Sequence, residues 1–520
     1  MEEIKKEKNG FDVLPDIYRY AREGFVAIEP DDLQRLKWYG LYQQRPKDGY
    51  FMMRVIIPGG HYNSVQMRTL AAIGRDYARG FGDITTRQTF GFHWLTIQDM
   101  PDIFRRLAAV GLSTVGGGGD VMRNITGCPV AGHDTREAFD AQPDIIKVWN
   151  YLRGHRAFSN LPRKMKVSVS ACGISCCFPQ IHCLSWVGVP HGPSGMPQEG
   201  YNLYLGGGLA GEPHLAQPVD IFVTRDQVLE ATVAIMETYR QYGNRQQRSR
   251  ARLKFLMDDW GPEKFRKEIA SRLSFDPYQA SPHKLDANSR DHLGIFPQRE
   301  AHLNYIGIAI PAGRITSERM LDLAGVADIY GSGHLVNTHQ QNLVILDVPN
   351  AHVPPAVSKL KTIGLSTDEL SVEADCVACI GKEFCNRAIT ETKGLMKKTI
   401  DYLKEELTWD SHIKIFMSGC QNACGHHHIA DIGLQGTSAR VGREILECYD
   451  FLVGGKLGRE AAFSRKIAPK IPAEVVPAAL ASMVRSFQTT RKHHQTFHSW
   501  SGERSDQELA GFLAIHSSPT

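Results

Sequence analysis

No run of eighteen apolar residues occurs anywhere in the 520-residue chain, which argues against membrane-spanning helices. Behind the mixed-charge start Met1-Glu-Glu-Ile-Lys-Lys-Glu-Lys there is no apolar stretch either, so no secretory signal is expected and the expected location is cytoplasmic. A GxGxxG turn between a strand and a helix is also missing. The glycine run Gly116 to Gly119 lacks that context and reads as a tight loop, so neither a nicotinamide nor a flavin site is expected. A large excess of one charge sign is missing: the net +4 is too mild for a nucleic-acid footprint, though it allows an acidic protein partner to dock. Cysteine is sparse at eleven residues, too few for a disulfide scaffold. The cysteines cluster, however, and in a reducing compartment clustering favours metal or redox use.

With 42% hydrophobic and 22% charged residues the chain reads as folded, and its length implies two to four lobes. An internal repeat organises it. Tyr50 to Gly60 reads as a strand, Val65 to Tyr77 has helical period, and Thr86 to Leu95 reads as a second strand. The same order returns from Leu303 through Pro311-Ala-Gly313, a helix containing Met320 and Leu323, and a strand from Asn337 to Val348. Ile-Pro-X-Gly and Gly-Leu-Ser recur at an offset of 253, while Ser170-Ala-Cys172-Gly-Ile-Ser-Cys176 matches Ser418-Gly-Cys420-Gln-Asn-Ala-Cys424 at 248. Two long repeats imply a duplication with a pseudo-twofold axis, and a crevice for a ligand along it. The fold class expected is α+β, with paired half-domains and two further domains. Asp226 to Leu273 reads as a charged, solvent-facing helix pair, and the chain after Arg485 as a peripheral, His-rich tail.

Cys379, Cys385, Cys420 and Cys424 supply four thiolates, the soft ligands that a [4Fe-4S] cube requires, and the flanking Gly419 and Gly425 could bring backbone amides to its sulfurs. Cys376-Val-Ala-Cys379 has zinc-like spacing, so a structural zinc site stands beside the cluster reading. Cys448 reads as a small core residue. Arg87, Arg123 and the trio Arg163-Lys164-Met-Lys166 are candidate anion-binding cations, with Lys164 and Lys166 on one face of a strand.

From about Leu36 to Val484 the chain resembles the siroheme-dependent sulfite and nitrite reductases. The resemblance rests on Gly40-Leu-Tyr-Gln-Gln44, Met53-Arg-Val-Ile-Ile-Pro-Gly-Gly60, Asp83-Ile-Thr-Thr-Arg-Gln-Thr-Phe90, Leu161-Pro-Arg-Lys-Met-Lys166, Gly243-Asn-Arg245, and the two cysteine motifs with Ala430-Asp-Ile-Gly433. It implies that Cys379, Cys385, Cys420 and Cys424 hold the cluster, that Cys424 also bridges to siroheme, that Arg87 and Asn422 lie against the cofactors, and that Arg54, Arg123, Lys164 and Lys166 bind the substrate. Siroheme carries many carboxylates, which suits such a gathering of basic groups.

What the resemblance leads one to expect is six-electron reduction of sulfite to sulfide, with electrons from a ferredoxin or a flavoprotein subunit. Nitrite reduction to ammonia is the alternative. Lys166 stands where sulfite reductases carry Lys and nitrite enzymes tend to carry Asn, whereas Ala378 to Cys385 with Glu391-Thr-Lys393 looks more like the nitrite enzymes. A zinc-stabilised binding protein and a cluster-only electron carrier are the competing readings.

The division expected is a first ferredoxin-like half-domain at 1–118, a siroheme-binding domain at 119–290, a second half-domain at 291–370, a 4Fe-4S/siroheme domain at 371–490 and a tail at 491–520. Departures from the family pattern are Cys128, Cys172, Cys176, Cys177 and Cys183 in the first half, read as remnants of the duplication, as buried thiols, or as a second cluster, and the run His426-His-His428, read as mostly surface or supporting. Gly91 stands where sulfite reductases would carry Gln.

Overall fold

The computed structural model describes residues 1–174, 176–190, 198–283, 285–286 and 291–513. The boundary expected at residue 290 and the last seven residues of the expected tail lie outside them.

Among the described residues the strands form four five-stranded sheets. In chain order, β1 (Leu41–Gln43), β2 (Phe51–Val55), β3 (His61–Asn63), β4 (Phe81–Ile84) and β5 (Phe90–Leu95) belong to the first repeat, followed by β6 (Met122–Thr126), β7 (Met165–Ser170), β8 (Leu184–Val189), β9 (Gly200–Leu205) and β10 (Gln217–Thr224). The second half repeats the series as β11 (Gly294–Pro297), β12 (Leu303–Ile308), β13 (Arg314–Thr316), β14 (His334–Asn337) and β15 (Leu343–Pro349), then β16 (Cys376–Ala378), β17 (Ile415–Ser418), β18 (Ile432–Val441), β19 (Glu444–Val453) and β20 (Arg465–Pro472).

The duplication is visible in the pairing. Sheets β6 to β10 and β16 to β20 share one topology: two parallel pairings, then two antiparallel ones. The parallel strands β8, β16 and β17 are buried throughout, as in Ile-Phe-Met-Ser of β17, which is why they read as apolar runs rather than alternating ones. The other two sheets are antiparallel, ordered β1-β2-β5-β4-β13 and β11-β12-β15-β14-β3. Each therefore takes its last strand from the opposite half: Ile315 pairs with Gly82, and Leu335 with Tyr62.

Each exchanged strand runs straight into a helix. Asn63 caps Ser64–Tyr77 through a reciprocal box with Gln66, and Thr316 caps Ser317–Tyr330. These two helices pack on one another across the pseudo-twofold axis. Gly74 permits the approach, since a Cβ there would stand 2.6 Å from Ser317 Oγ. The resulting core is shared, running from Val13 through Phe92 to Ile306, Leu323 and Leu365.

Several expectations need correction. Thr86 to Leu95 is not one strand: β4 and β5 form a hairpin whose turn, Thr85 to Thr89, carries Arg87, with Gln88 in left-handed conformation. The counterpart from Asn337 to Val348 is likewise a turn between β14 and β15. Asp226 to Leu273 is not a solvent-facing pair, because the helix Val228–Tyr242 buries Ala231, Ile235 and Tyr239 against the second sheet. Nor is the segment after Arg491 peripheral, since Phe497, Trp500, Leu509 and Leu513 complete the core of the fourth sheet.

Candidate functional site

Parallel strands present their following loops at one sheet edge, where α/β ligand sites form. Cys379 follows β16 directly and Cys420 follows β17 by two residues, so adjacent parallel strands bring the two motifs together. The short turn Gly381–Phe384 delivers Cys385. Local donors face the sulfurs: Gly419 N donates to Cys379 Sγ at 3.2 Å, Arg387 N to Cys385 Sγ at 3.4 Å, and Asn422 Nδ2 to Cys420 Sγ at 3.3 Å. Of the two glycines singled out by sequence, Gly419 serves the cysteines, whereas Gly425 N donates to Ser418 Oγ.

Burial, with the nearby Cys424 thiol, pushes Cys379 up to about 12, and burial raises Cys385. At Cys379 and Cys385 a bare thiolate is thus disfavoured, and a bound cation would stabilise it. Cys424 is exposed on the side facing Lys166, and its carbonyl accepts from Thr86 Oγ1 at 3.1 Å, which ties the hairpin turn to the cysteine loop. Cys376 is a core residue of β16, packed with Ile415 and Met417, which removes the zinc-like pair. Cys448 is buried in β19.

Opposite Cys424 lies a bowl of cations. Arg54 projects from β2, Arg87 from the hairpin turn, Arg123 from β6 and Lys166 from β7, with Lys164 just before β7. The glycine run forms its rim. Arg54 Nη1 donates to Gly117 O at 2.7 Å, and Arg123 donates to Gly117 O at 3.2 Å and Gly119 O at 2.7 Å. Tyr42 completes this group: its hydroxyl accepts from Arg123 at 3.3 Å and its ring lies 5.5 Å from the Arg54 guanidinium. Arg87 donates to Asn124 O and Val167 O, leaving its buried Nε and Nη1 with no partner among the described residues.

No carboxylate pairs with Arg54, Arg87, Arg123, Lys164 or Lys166 among the described residues, whereas Arg163 turns away to Asp120 at 3.1 Å. Burial pulls Lys166 down to about 7, helped by Arg87 and Arg252. Burial also holds Lys164 well below its usual value, with Arg252, Lys166 and Arg123 adding repulsion. Arg87 is shifted down by burial and by Arg123, Arg54 and Arg252. Arginine stays charged in proteins, so a buried guanidinium crowded by other cations is stabilised by an anion beside it.

Sequence reasoning missed Arg252, which donates to Cys183 Sγ at 3.2 Å and bears on both lysines. It lies in an Arg-rich stretch with nothing periodic to single it out. It also missed the buried imidazoles His182 and His339, whose pKa values burial and the neighbouring Arg87 hold down. The run His426 to His428 is buried rather than at the surface. For His426, burial, Lys166 and Arg87 hold the ring neutral.

The bowl and the cysteine loop occupy the segments that known families match. The model of the nitrite and sulphite reductase 4Fe-4S domain matches residues 118–276 and 374–500, and that of the nitrite/sulfite reductase ferredoxin-like half domain matches 42–110 and 296–363. The assimilatory ferredoxin-dependent nitrite reductase of Haloferax mediterranei is 36% identical, over 96% of this chain and 90% of its own. A sulfite reductase [ferredoxin] of Mycolicibacterium paratuberculosis is 34% identical, over 94% of this chain and 92% of its own. The solved Mycobacterium tuberculosis NirA protein superposes with a TM-score of 0.92 at 32% identity, covering 98% of this chain and 96% of that one.

Proposed function

Because the chain belongs to the nitrite and sulphite reductase family, we propose that this oxidoreductase reduces sulfite to sulfide by six electrons, with siroheme in the cation bowl and a [4Fe-4S] cluster on Cys379, Cys385, Cys420 and Cys424. The carrying observation is the bowl itself, half-buried cations that among the described residues meet no carboxylate, including the Arg87 N–H groups left without a partner there. Such a set fits a ligand with several carboxylates together with a small oxyanion. Siroheme, when bound, supplies the iron at which the anion is reduced.

The protein's own part is to bind, orient and protonate. Arg87 neutralises cofactor carboxylates at the hairpin turn, and Asn422 holds Cys420 beside the cluster. Cys424, an exposed thiol close enough to Lys166 to bear on its charge, would serve as a cluster ligand on the side where siroheme would lie. Arg54 and Arg123, fixed on Gly117 and Gly119, clamp the substrate oxygens. Lys164 and Lys166 lie where protons are needed, and a lysine near 7 both donates and recovers a proton at neutral pH. With two electrons supplied through the bound cofactors, each oxygen lost as water would need two protons, which the lysines would relay.

Two lysines suit the dianionic sulfite better than nitrite, which places sulfite first. Nitrite is retained as the second reading because relatives named for it are 36% and 34% identical, against 34% for a relative named for sulfite. The electron donor is a ferredoxin, the donor for which relatives of both kinds are named. Among the described residues no helix is long and apolar enough to cross a membrane.

The test is the visible spectrum and iron count of anaerobically purified protein, then kcat/KM for sulfite and nitrite in separate assays with reduced ferredoxin. A siroheme spectrum, about five irons per chain and faster sulfite turnover are expected, four irons coming from the cluster and one from siroheme. Colourless protein overturns the proposal, and a nitrite preference overturns the choice of substrate.

A further inference from the structure

The first half of the molecule keeps a second cysteine constellation in the place that the pseudo-twofold axis maps onto the cluster loop. Cys128 follows β6 by two residues where Cys379 follows β16 directly, and Cys172 and Cys176 follow β7 as Cys420 and Cys424 follow β17. The equivalent of Cys385 is Asp134, six residues after Cys128 just as Cys385 is six after Cys379. Asp134 is already held by Arg136, with Nε and Nη2 each at 3.1 Å. The donor set therefore differs from four thiolates.

The missing donor comes from elsewhere. His292, on the segment leading into β11, brings Nε2 to 3.7 Å from Cys128 Sγ. The ligand atoms of Cys128, Cys176 and His292 all lie within 4.8 Å of one another, and all three residues are buried. The Cys176 thiol is also in contact with that of Cys172, itself buried. With Zn–S near 2.3 Å and Zn–N near 2.0–2.1 Å, a tetrahedral ion places its S and N ligands roughly 3.6 Å apart. A cube of four irons would hold its ligand sulfurs further apart than a single ion does.

The backbone is shaped to deliver the imidazole. His292 adopts φ +57, a left-handed conformation that costs an ordinary residue on the order of 1 kcal/mol or more. Its carbonyl presses against β12 at Gly307, where a Cβ would stand only 2.0 Å from it.

We propose that Cys128, Cys176 and His292, with Cys172 as fourth ligand, bind a single zinc-class divalent ion, releasing the thiol protons as it enters. The ion is a staple: its thiolates belong to the loops of the second sheet, while His292 belongs to the sheet β11-β12-β15-β14-β3, against which Cys128 and Cys176 already pack through Tyr305, Val336 and Val344. Its thiolates lie in the half without the catalytic cysteines, and the ion takes no part in electron transfer.

Elemental analysis of the full holoprotein, purified anaerobically under reducing conditions, tests this. About one zinc per chain is expected beyond the iron, with zinc-edge absorption fitting three sulfurs and one nitrogen. Cys176→Ser should lose the zinc and keep the iron count and the visible spectrum. Should that variant fail to fold, the wild-type zinc count and ligand shell decide alone. Wild-type protein with no zinc, or an iron count exceeding that of siroheme and one cluster that falls by about four in Cys176→Ser, overturns the proposal, the latter in favour of a second cluster.

Discussion

Among the described residues no carboxylate pairs with Lys166, which burial, Arg87 and Arg252 draw down to about 7 against the opposing pull of Cys424 and Cys183, so its charge depends on what occupies the bowl. A lysine shifted downward is charged below its folded pKa and loses that charge as pH rises through it. Anion binding should therefore weaken from pH 7 towards 9, with the inflection moved upward once cofactor carboxylates are present, and substrate binding should take up protons. Lys166→Gln should flatten the pH dependence of KM for sulfite and raise KM about tenfold or more, the worth of a hydrogen bond to a charged group. An unchanged, still sloping profile would remove Lys166 from the site. Asp83 is the opposite case. Burial opposes its charge, yet Lys393, His93 and the two bonds from Arg314 at 2.9 and 3.1 Å hold it far below the usual carboxylate range. The stability this gives is complete above the unfolded carboxylate value near 4 and is lost only in strong acid. Asp83→Asn leaves the buried Lys393 unpaired and should cost about 3–5 kcal/mol in denaturant unfolding at neutral pH. At this scale the sequence was partly legible. Lys164 and Lys166 announce a shared face through strand alternation, whereas Arg252 and His339 carry no local signal, because only tertiary contact makes them part of the bowl.

The glycine run Gly116 to Gly119 shows how an element can matter through what it lacks. It reads as a loop and is one, but its carbonyls fix Arg54 and Arg123. At Gly118 a Cβ would meet Lys37 O at 2.3 Å and Tyr42 Oη at 2.4 Å, so the loop closes on the bowl only without a side chain. Gly118→Ala should displace both arginines, lowering kcat/KM for sulfite at least tenfold while Lys166 keeps its pH profile. A full-activity alanine variant would show that the loop does not position them. The hairpin turn is the contrasting failure of sequence reading. Thr-Thr-Arg-Gln-Thr-Phe-Gly-Phe-His-Trp is rich in β-formers without a break, and a turn that relies on Gln88 at φ +59 offers neither glycine nor proline as a signal. The repeat itself was legible, because recurring motifs do not depend on knowing what each strand pairs with.

Pairing partners are where a period-two pattern falls silent, and the whole molecule turns on them. A pattern can mark β3 and β13 as strands but cannot say that each completes the other half's sheet. Such reciprocal exchange is the geometry of an isologous dimer fused into one chain, with equivalent helices crossing at the axis. One fused half then keeps the four-cysteine loop, while its twin turns the same strand ends to a different donor set. The exchange also forbids independence: without the second half, β4 loses Ile315 as its edge partner, and Leu70, Ile73 and Phe92 lose Met320 and Leu323 from a shared core. Losses of that kind cost several kcal/mol for each large side chain exposed, more than the marginal stability of a domain can absorb. Protein cleaved between Asp286 and Asp291 should therefore remain one body on gel filtration and melt as one, whereas either half expressed alone should show no cooperative unfolding. Cooperative melting of an isolated half would mean that the exchanged strands decorate two finished domains; its absence, with recovery of cooperative melting on mixing the halves, would mean that the pseudo-twofold interface is the core itself.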